Sequence, residues 1–289
     1  MKRVLVMGGR RFLGKALVNK LLQEGNDITV ANRSGTSAFG LDVHNLVFDR
    51  NSYESISEKI SKKDYDVVYD MICYSPKNAK DIIENISTDK YIMVSSCIVY
   101  DWGLNHKEEE FDAKNYTVKD GTIEELGQKF GYKQGYKIGK MGAEAIIERN
   151  ETIPSICVRF PLIIGQHDHT KRMETYFEAI KNEREIYIDN LYSDVSMVQS
   201  ENAADYLLKI KDQCFKGAIN MGDYGKISIL ELINKMMNLL GKKVILNENK
   251  FSGGGYNGFY SNTLNLDKMM ETGIVPYSLN VEAVLSKLM

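Results

Sequence analysis

A glycine-rich turn wedged between a strand and a helix, Gly8-Gly9-Arg10-Arg11-Phe12-Leu13-Gly14, restricts this chain more than any other stretch. Residues 2–7 before it (Lys-Arg-Val-Leu-Val-Met) read as a buried strand. After it, Ala16, Leu17, Leu21 and Leu22 recur at helical spacing across Lys15 to Glu24, and Gly25-Asn26 stop that helix. Backbone N–H groups at the start of such a helix, reinforced by its dipole, form a receptor for a pyrophosphate. Where three glycines usually stand, the middle position is Arg11, whose bulk has to point away from a ligand. A bare tight turn is the other meaning of the same residues.

Further strands are expected at Asp27 to Asn32, Val43 to Phe48, Asp66 to Met71, Lys90 to Ser95 and Ser155 to Arg159, most of them separated by helical patterns. Val- and Ile-rich strands alternating with helices describe a parallel sheet covered on both faces. The fold class is therefore α/β, a doubly wound parallel sheet of Rossmann type. Beyond Gly165 helices dominate, at Met173 to Asn182, Ser200 to Lys211 and Ser228 to Leu240. Residues 1–165 are expected to form a dinucleotide-binding domain. Residues 166–289 are expected to form a smaller substrate-binding lobe that exchanges segments with the first.

At 289 residues and 43% hydrophobic, the chain is able to bury a full core without disulfides or metals. Its 37 Lys and Arg nearly balance 39 Asp and Glu, so no overall basic field favours a nucleic acid, and a small-molecule partner is expected. Cys73, Cys97, Cys157 and Cys214 show no paired spacing, three lie in strand-like runs, and reduced cytoplasmic thiols are expected. Neither a signal-peptide layout nor an apolar stretch of membrane-spanning length is seen. His167 and His169 flank Asp168 without a distant fourth ligand, so no metal site is expected. The run Glu108-Glu109-Glu110 reads as a solvated loop face.

After the second strand, where a carboxylate commonly receives the ribose hydroxyls of NAD, stand Asn32-Arg33-Ser34, with Arg10 and Arg11 near. That set suits a 2′-phosphate and favours NADP over NAD, although most arginines are ordinary surface cations. Asp49, with Arg50 after it, ends the third strand, where a carboxylate either accepts from an adenine amino group or caps a turn.

Tyr136-Lys137-Ile138-Gly139-Lys140 is expected to open a helix running to Arg149, and the four-residue spacing puts Tyr136 and Lys140 on one face. A tyrosine titrates near ~10 in water, so it serves as a base at neutral pH only beside cationic charge, which Lys140 and an oxidised nicotinamide would provide. Ser95-Ser96 close the fifth strand at the sheet edge where ligands of such folds bind, and Ser96 is placed to meet the reacting oxygen. Each feature alone is common on surfaces and in caps; their joint order behind a glycine turn is not.

Together these residues resemble the extended short-chain dehydrogenase/reductases of the NAD-dependent epimerase/dehydratase type, over essentially the whole chain. The resemblance rests on the Gly8–Gly14 turn, Phe48-Asp49, Ser95 to Tyr100, Tyr136 with Lys140, Arg159-Phe160-Pro161 before Gly165, Ala218 to Gly222 and Asn265 to Lys268. It implies that Tyr136 is the general acid/base, that Lys140 holds the ribose and lowers the tyrosine pKa, and that Ser96 binds the substrate oxygen. The cofactor, NAD or NADP, would be held by Gly8, Arg10, Arg11, Phe12, Leu13, Gly14, Asn32, Arg33, Asp49, Arg50, Cys73 and Lys140, with Pro161 beside the nicotinamide.

Departures narrow the choice. Ser96 is followed by Cys97-Ile98 and not by the Asp-Glu pair of sugar dehydratases, which argues against dehydration. Cys97 lies three residues before Tyr100 where an epimerising cysteine lies two before, so a packed thiol is its expected role. Ser193 to Asn202 carries no arginine for a substrate diphosphate, which weighs against a UDP-sugar. The form of the glycine turn resembles an atypical branch in which chloroplast RNA-binding relatives also occur. The leading reading is an epimerase-like enzyme acting on a sugar or nucleotide-sugar, followed by a net NADPH-dependent reductase of a carbonyl compound. A non-catalytic RNA-binding protein and a dinucleotide-sensing regulator are the readings from other classes. Selectivity is assigned to the second lobe and to loops such as 101–132 and 252–258, and homodimerisation through sheet-flanking helices is usual in the relatives.

Overall fold

The computed structural model describes residues 1–34, 38–61, 63–248 and 254–288. Seven parallel strands form the main sheet: β1 (Arg3–Met7), β2 (Asp27–Asn32), β3 (His44–Val47), β4 (Val67–Asp70), β5 (Tyr91–Ser96), β6 (Ser155–Phe160) and β7 (Gly217–Asn220). Their order is β7-β6-β5-β4-β1-β2-β3. The strand order reverses between β1 and β4, opening a crevice at the carboxyl edge, the place where open α/β sheets bind ligands. The doubly wound parallel sheet is thus the observed fold. Strand ends differ from the sequence reading by one residue at most.

Burial explains the apolar runs. Val4 and Val6 face one side of the sheet with Leu17 and Leu21 of α1 (Phe12–Gln23), while Leu5 and Met7 face the other, and all six are fully buried. Each such side chain stabilises the fold by about 1.5–3 kcal/mol relative to exposure. On the second face lie α2 (Tyr53–Lys59), α3 (Pro76–Ile83) and α5 (Tyr132–Arg149).

The seventh strand was absent from the sequence-based reading. Its Ala218, Ile219 and Asn220 lie beside Cys157, Val158 and Arg159, so the chain returns to the first sheet after leaving it. In the same way α7 (Ser200–Ile210) packs on α1. The remaining C-terminal segments gather around α6 (Arg172–Lys181) and α8 (Ile229–Leu240), with Tyr176, Phe177, Ile233 and Met236 in a separate core. Short strands run through this lobe, including Asn262–Leu264, which pairs with Gly103–His106.

Two expectations are corrected here. Glu108 is not on a solvated face: it is buried and its Oε1 accepts from Asn220 N at 2.7 Å, closing the β7 edge. The helix carrying Tyr136 starts at Tyr132, so Tyr136 lies in its second turn. Gly131, at φ +83, separates α5 from α4 (Ile123–Phe130) and supplies the helix start that Tyr136 was expected to mark.

Candidate functional site

Close packing shapes the glycine turn. A Cβ on Gly14 would lie 2.4 Å from Gly8 O and 2.9 Å from Gly9 Cα, so only hydrogen lets α1 dock onto the turn. Gly8 has φ +89, and a Cβ there would lie 2.8 Å from Ile72 Cγ2. Arg11 is the residue before α1, extended and exposed, and its side chain makes no capping bond. The amide groups of the first turn, from Phe12 and Leu13 onward, therefore have no side-chain acceptor from that cap. These are the features a pyrophosphate-binding turn requires, and the residues fit a dinucleotide.

The end of β2, where a ribose is expected, is polar, and among the described residues Asn32-Arg33-Ser34 offer no carboxylate there. Arg10 Nη1 donates to Ser34 Oγ, while Ser34 N donates to Asn32 Oδ1 at 3.0 Å. Arg33 is exposed. Asp49 is also exposed, with Oδ1 accepting from Asn51 N at 2.9 Å. Arg50 and Cys73 are turned inward. Arg50 Nη2 meets Asp70 Oδ2 at 2.5 Å, with Tyr91 Oη on the same oxygen at 2.7 Å. Burial pushes the Cys73 thiol up to about 12.

Segment 71–74, which leaves β4, joins the two halves of the site. Its start packs on Gly8, and its end packs on α5, where a Cβ on Gly139 would lie 2.2 Å from Tyr74 O. Lys140 is buried, and its Nζ donates to Cys73 O and Val94 O, each at 2.8 Å. The ammonium stands 4.8 Å from the Tyr74 ring centre and 5.9 Å from that of Tyr136. The two rings are 6.2 Å apart.

Ser96 ends β5, and its Oγ accepts from Ile98 N at 3.3 Å. It stands opposite Phe160 in register, so Pro161 follows directly beyond it. Pro161 is buried, and a Cβ on Gly222 would meet its Cγ at 3.1 Å. The structure thus gathers Ser96, Tyr136, Lys140 and Pro161 at the carboxyl edge, across segment 71–74 from the glycine turn.

The electrostatics differ from the simple expectation that Lys140 depresses the phenol. Burial pushes the Tyr136 phenol above its ordinary value, helped by Tyr74 and Cys97, and Arg172 is the cation that opposes this. Burial likewise pulls the Lys140 ammonium below its usual range. Lys140 is held by carbonyl oxygens, leaving the phenol dependent on other positive charge.

Three residues escaped the sequence reading: Tyr74 and Arg172, whose ring or charge acts on the phenol, and Lys133, one turn before it in α5. Lys133 stands three positions before Tyr136 in α5, a spacing that was legible; Arg172 opens α6, far along the chain, and had no local signal. Among the described residues no group of His, Cys, Asp and Glu forms a metal site, and no helix is long and apolar enough to cross a membrane. Residues 252 and 253 of the expected selectivity loop lie outside the described residues.

Sheet order, glycine turn and carboxyl-edge cluster define a doubly wound protein of the Rossmann class. The chain belongs to the NAD dependent epimerase/dehydratase family, whose model matches residues 4–222. It is 24% identical over 212 residues to the chloroplast stem-loop binding protein of 41 kDa b of Arabidopsis thaliana, covering 68% of this chain and 51% of that protein. The chain thus spans about half the length of this curated relative. Among solved structures it resembles UDP-N-acetylglucosamine 4-epimerase from Bacillus cereus, with TM-score 0.74, 17% identity and coverage of 100% and 98% of the two chains. It also resembles the UDP-glucose 4-epimerase of Thermus thermophilus in complex with NAD, with TM-score 0.72, 14% identity and coverage of 99% and 98%.

Proposed function

We propose that this chain is an NAD(P)-dependent epimerase acting on a sugar or nucleotide-sugar, with Tyr136 as the proton-transferring group. The observation that carries the reading is the placement of Tyr136 and Lys140 on one face of α5, joined to the glycine turn by segment 71–74. A bound nicotinamide dinucleotide supplies the hydride acceptor and, when oxidised, a positive charge. Tyr136 takes the proton of the reacting hydroxyl and returns it after the intermediate ketone presents its other face. Ser96 donates to the reacting oxygen, and Lys140 orients the segment beneath it while offering its remaining N–H to a ribose. Gly8 and Gly14 let the backbone of the turn approach the pyrophosphate. Arg33 and Ser34 after β2, with Arg10 of the glycine turn bonded to Ser34, favour a 2′-phosphate, hence NADP, over the bare hydroxyl. Free cysteines fit a cytoplasmic setting.

The test uses UDP-glucose and UDP-N-acetylglucosamine carrying deuterium at carbon 4. Expected are formation of the 4-epimer with the label retained, and loss of turnover in Tyr136→Phe. Exchange of that label with solvent, or turnover unaffected by Tyr136→Phe, overturns the reading. Steady consumption of NADPH with a carbonyl substrate would favour a net reductase on the same residues. Likeness to the Arabidopsis stem-loop binding protein supports a second reading, RNA binding, for which salt-sensitive RNA retention indifferent to Tyr136→Phe is the signature.

A further inference from the structure

The first turn of α5, one turn before Tyr136, meets residues from three other segments. Lys133, in the first turn of α5, places Nζ 4.4 Å from the ring centre of Trp102 and 4.8 Å from that of Phe259. Its ammonium also donates to Gly258 O. Arg172, the first residue of α6, lies with its guanidinium carbon 4.9 Å from the centre of the same Phe259 ring. Trp102 meets Tyr260 edge-on at 5.6 Å. Two cations therefore share one aromatic ring, flanked by a second aromatic pair.

This arrangement is unbalanced. An aromatic face attracts a cation through its quadrupole but carries no net charge, so it holds the two groups without neutralising them. Neither Lys133 nor Arg172 forms an ion pair with a carboxylate among the described residues. Asp189, whose field reaches Lys133, has its oxygens engaged by Gly258 N at 3.0 Å and Tyr260 Oη at 3.3 Å. Burial pulls the Lys133 ammonium below its usual range, and Arg172 adds to that against Asp189. Arg172 is also the cation whose charge is felt at Tyr136 and Cys97.

We propose that Lys133 and Arg172 form a receptor for an oxyanion of the substrate, phosphate or carboxylate, gripped beside the start of α5 while the carbon to be oxidised lies at Tyr136. The planar guanidinium fork matches two oxygens of such a group, and the ammonium supplies a point charge beside it. Lys133 and Tyr136, three residues apart, are neighbours on one helix surface, so grip and chemistry share a rigid element. Neutral sugars are poor ligands on this account, and affinity weakens as salt rises. The assignment rests on the epimerase reading of Tyr136 for its orientation of the substrate, and on Lys133 and Arg172 for its charge.

The test is a calorimetric titration of the full chain with UDP-glucose, glucose 1-phosphate, glucuronic acid and uncharged glucose, paralleled by fluorescence of Trp102, the one tryptophan of the sequence. Expected are saturable, salt-weakened binding of at least one anionic ligand with a change in Trp102 emission, and none with glucose. The ligand that binds identifies the source of the oxyanion: nucleotide diphosphate, sugar phosphate or sugar acid. Arg172→Gln and Lys133→Gln should each weaken that binding by roughly tenfold or more, and Arg172→Lys should restore only part of it. Absence of binding by all three anions, or equal binding by both Gln variants, overturns the proposal. Should Arg172→Gln fail to fold, Lys133→Gln and the salt dependence decide the matter. Binding and turnover of the wild-type chain separate the two ideas: anion binding without turnover leaves the receptor standing and removes the epimerase. Turnover with KM unchanged in both Gln variants does the reverse.

Discussion

The Lys140 ammonium lies 5.9 Å from the centre of the Tyr136 ring, and its hydrogen bonds go to the carbonyl oxygens of Cys73 and Val94. It therefore supports the floor of the site and does not directly bond the phenol. With burial pushing the phenol up, Tyr136 stays protonated at neutral pH until further positive charge arrives. A difference titration of wild type against Tyr136→Phe should place this phenol above the ordinary range of about 10 in the free protein, and lower once NAD⁺ is added. An identical titration with and without NAD⁺ would remove the coupling on which the chemistry depends.

Replacing Lys140 should damage stability as well as activity. In Lys140→Met the apolar stem still packs, but the carbonyl groups of Cys73 and Val94 lose their donor in a buried place, a cost of about 1–3 kcal/mol. Urea unfolding should report that loss. Tyr136→Phe should melt close to wild type, since its hydroxyl makes no hydrogen bond among the described residues, while kcat falls by roughly 10²–10⁴. Equal stability of Lys140→Met and wild type would contradict the bracing role.

Glycine positions give a sharper contrast. Gly14→Ala forces a methyl to within 2.4 Å of Gly8 O, so α1 has to lift from the turn. We expect dinucleotide binding, measured by calorimetry, to be lost or weakened by at least roughly tenfold, with a melting temperature below wild type. Gly127→Ala, inside α4 with open space around the added methyl, should instead stabilise by up to about 1 kcal/mol.

The sequence displayed the sheet because parallel strands buried on both faces tend to be continuously apolar, as Val4–Met7 of β1 and Tyr91–Val94 of β5 are. Hydrophobic period does not report where a late segment pairs, so Gly217–Asn220 was read only as part of a family pattern, although it completes the sheet. Glu108 was misread for a related reason: three glutamates in a row look solvated, yet tertiary contact with Asn220 N draws one of them in. Tyr136, Lys140 and Ser96 were legible because their spacing is local. Lys133 and Arg172 come together over Phe259, a contact across distant segments that leaves no trace in spacing.

Buried Glu108 yields a pH signature. Burial raises its pKa above the ordinary 4.5 in the folded chain, so the native state holds this proton more tightly than the unfolded state. From this group alone, stability relative to Glu108→Gln should rise as pH falls from neutral through the raised pKa toward 4.5. The Gln variant keeps an acceptor for Asn220 N and removes the buried charge. Urea midpoints of the two proteins at neutral and mildly acidic pH check the sign: the gap should move in favour of wild type on the acid side. A gap independent of pH would mean that the carboxylate is better solvated than its position suggests.

The pair formed by Glu144 and Arg159 tests how far the fold depends on one buried ion pair. Both side chains are fully buried, with Arg159 Nη2 at 2.7 Å from Glu144 Oε2. An isolated buried pair is often replaceable by apolar residues of similar size without loss. Here the guanidinium also serves Tyr100 Oη at 2.9 Å, Glu108 O at 2.8 Å and Phe111 O at 3.1 Å, and Ser95 Oγ donates to Glu144 Oε1. Removing both charges would leave those oxygens and that hydroxyl short of partners. Glu144→Gln should cost about 3–5 kcal/mol, because it strands a buried cation. The double variant Glu144→Leu with Arg159→Met should stay well below wild type, unlike a simple pair. Urea unfolding with an unchanged slope measures both changes, and a double variant as stable as wild type would show that the pair acts alone.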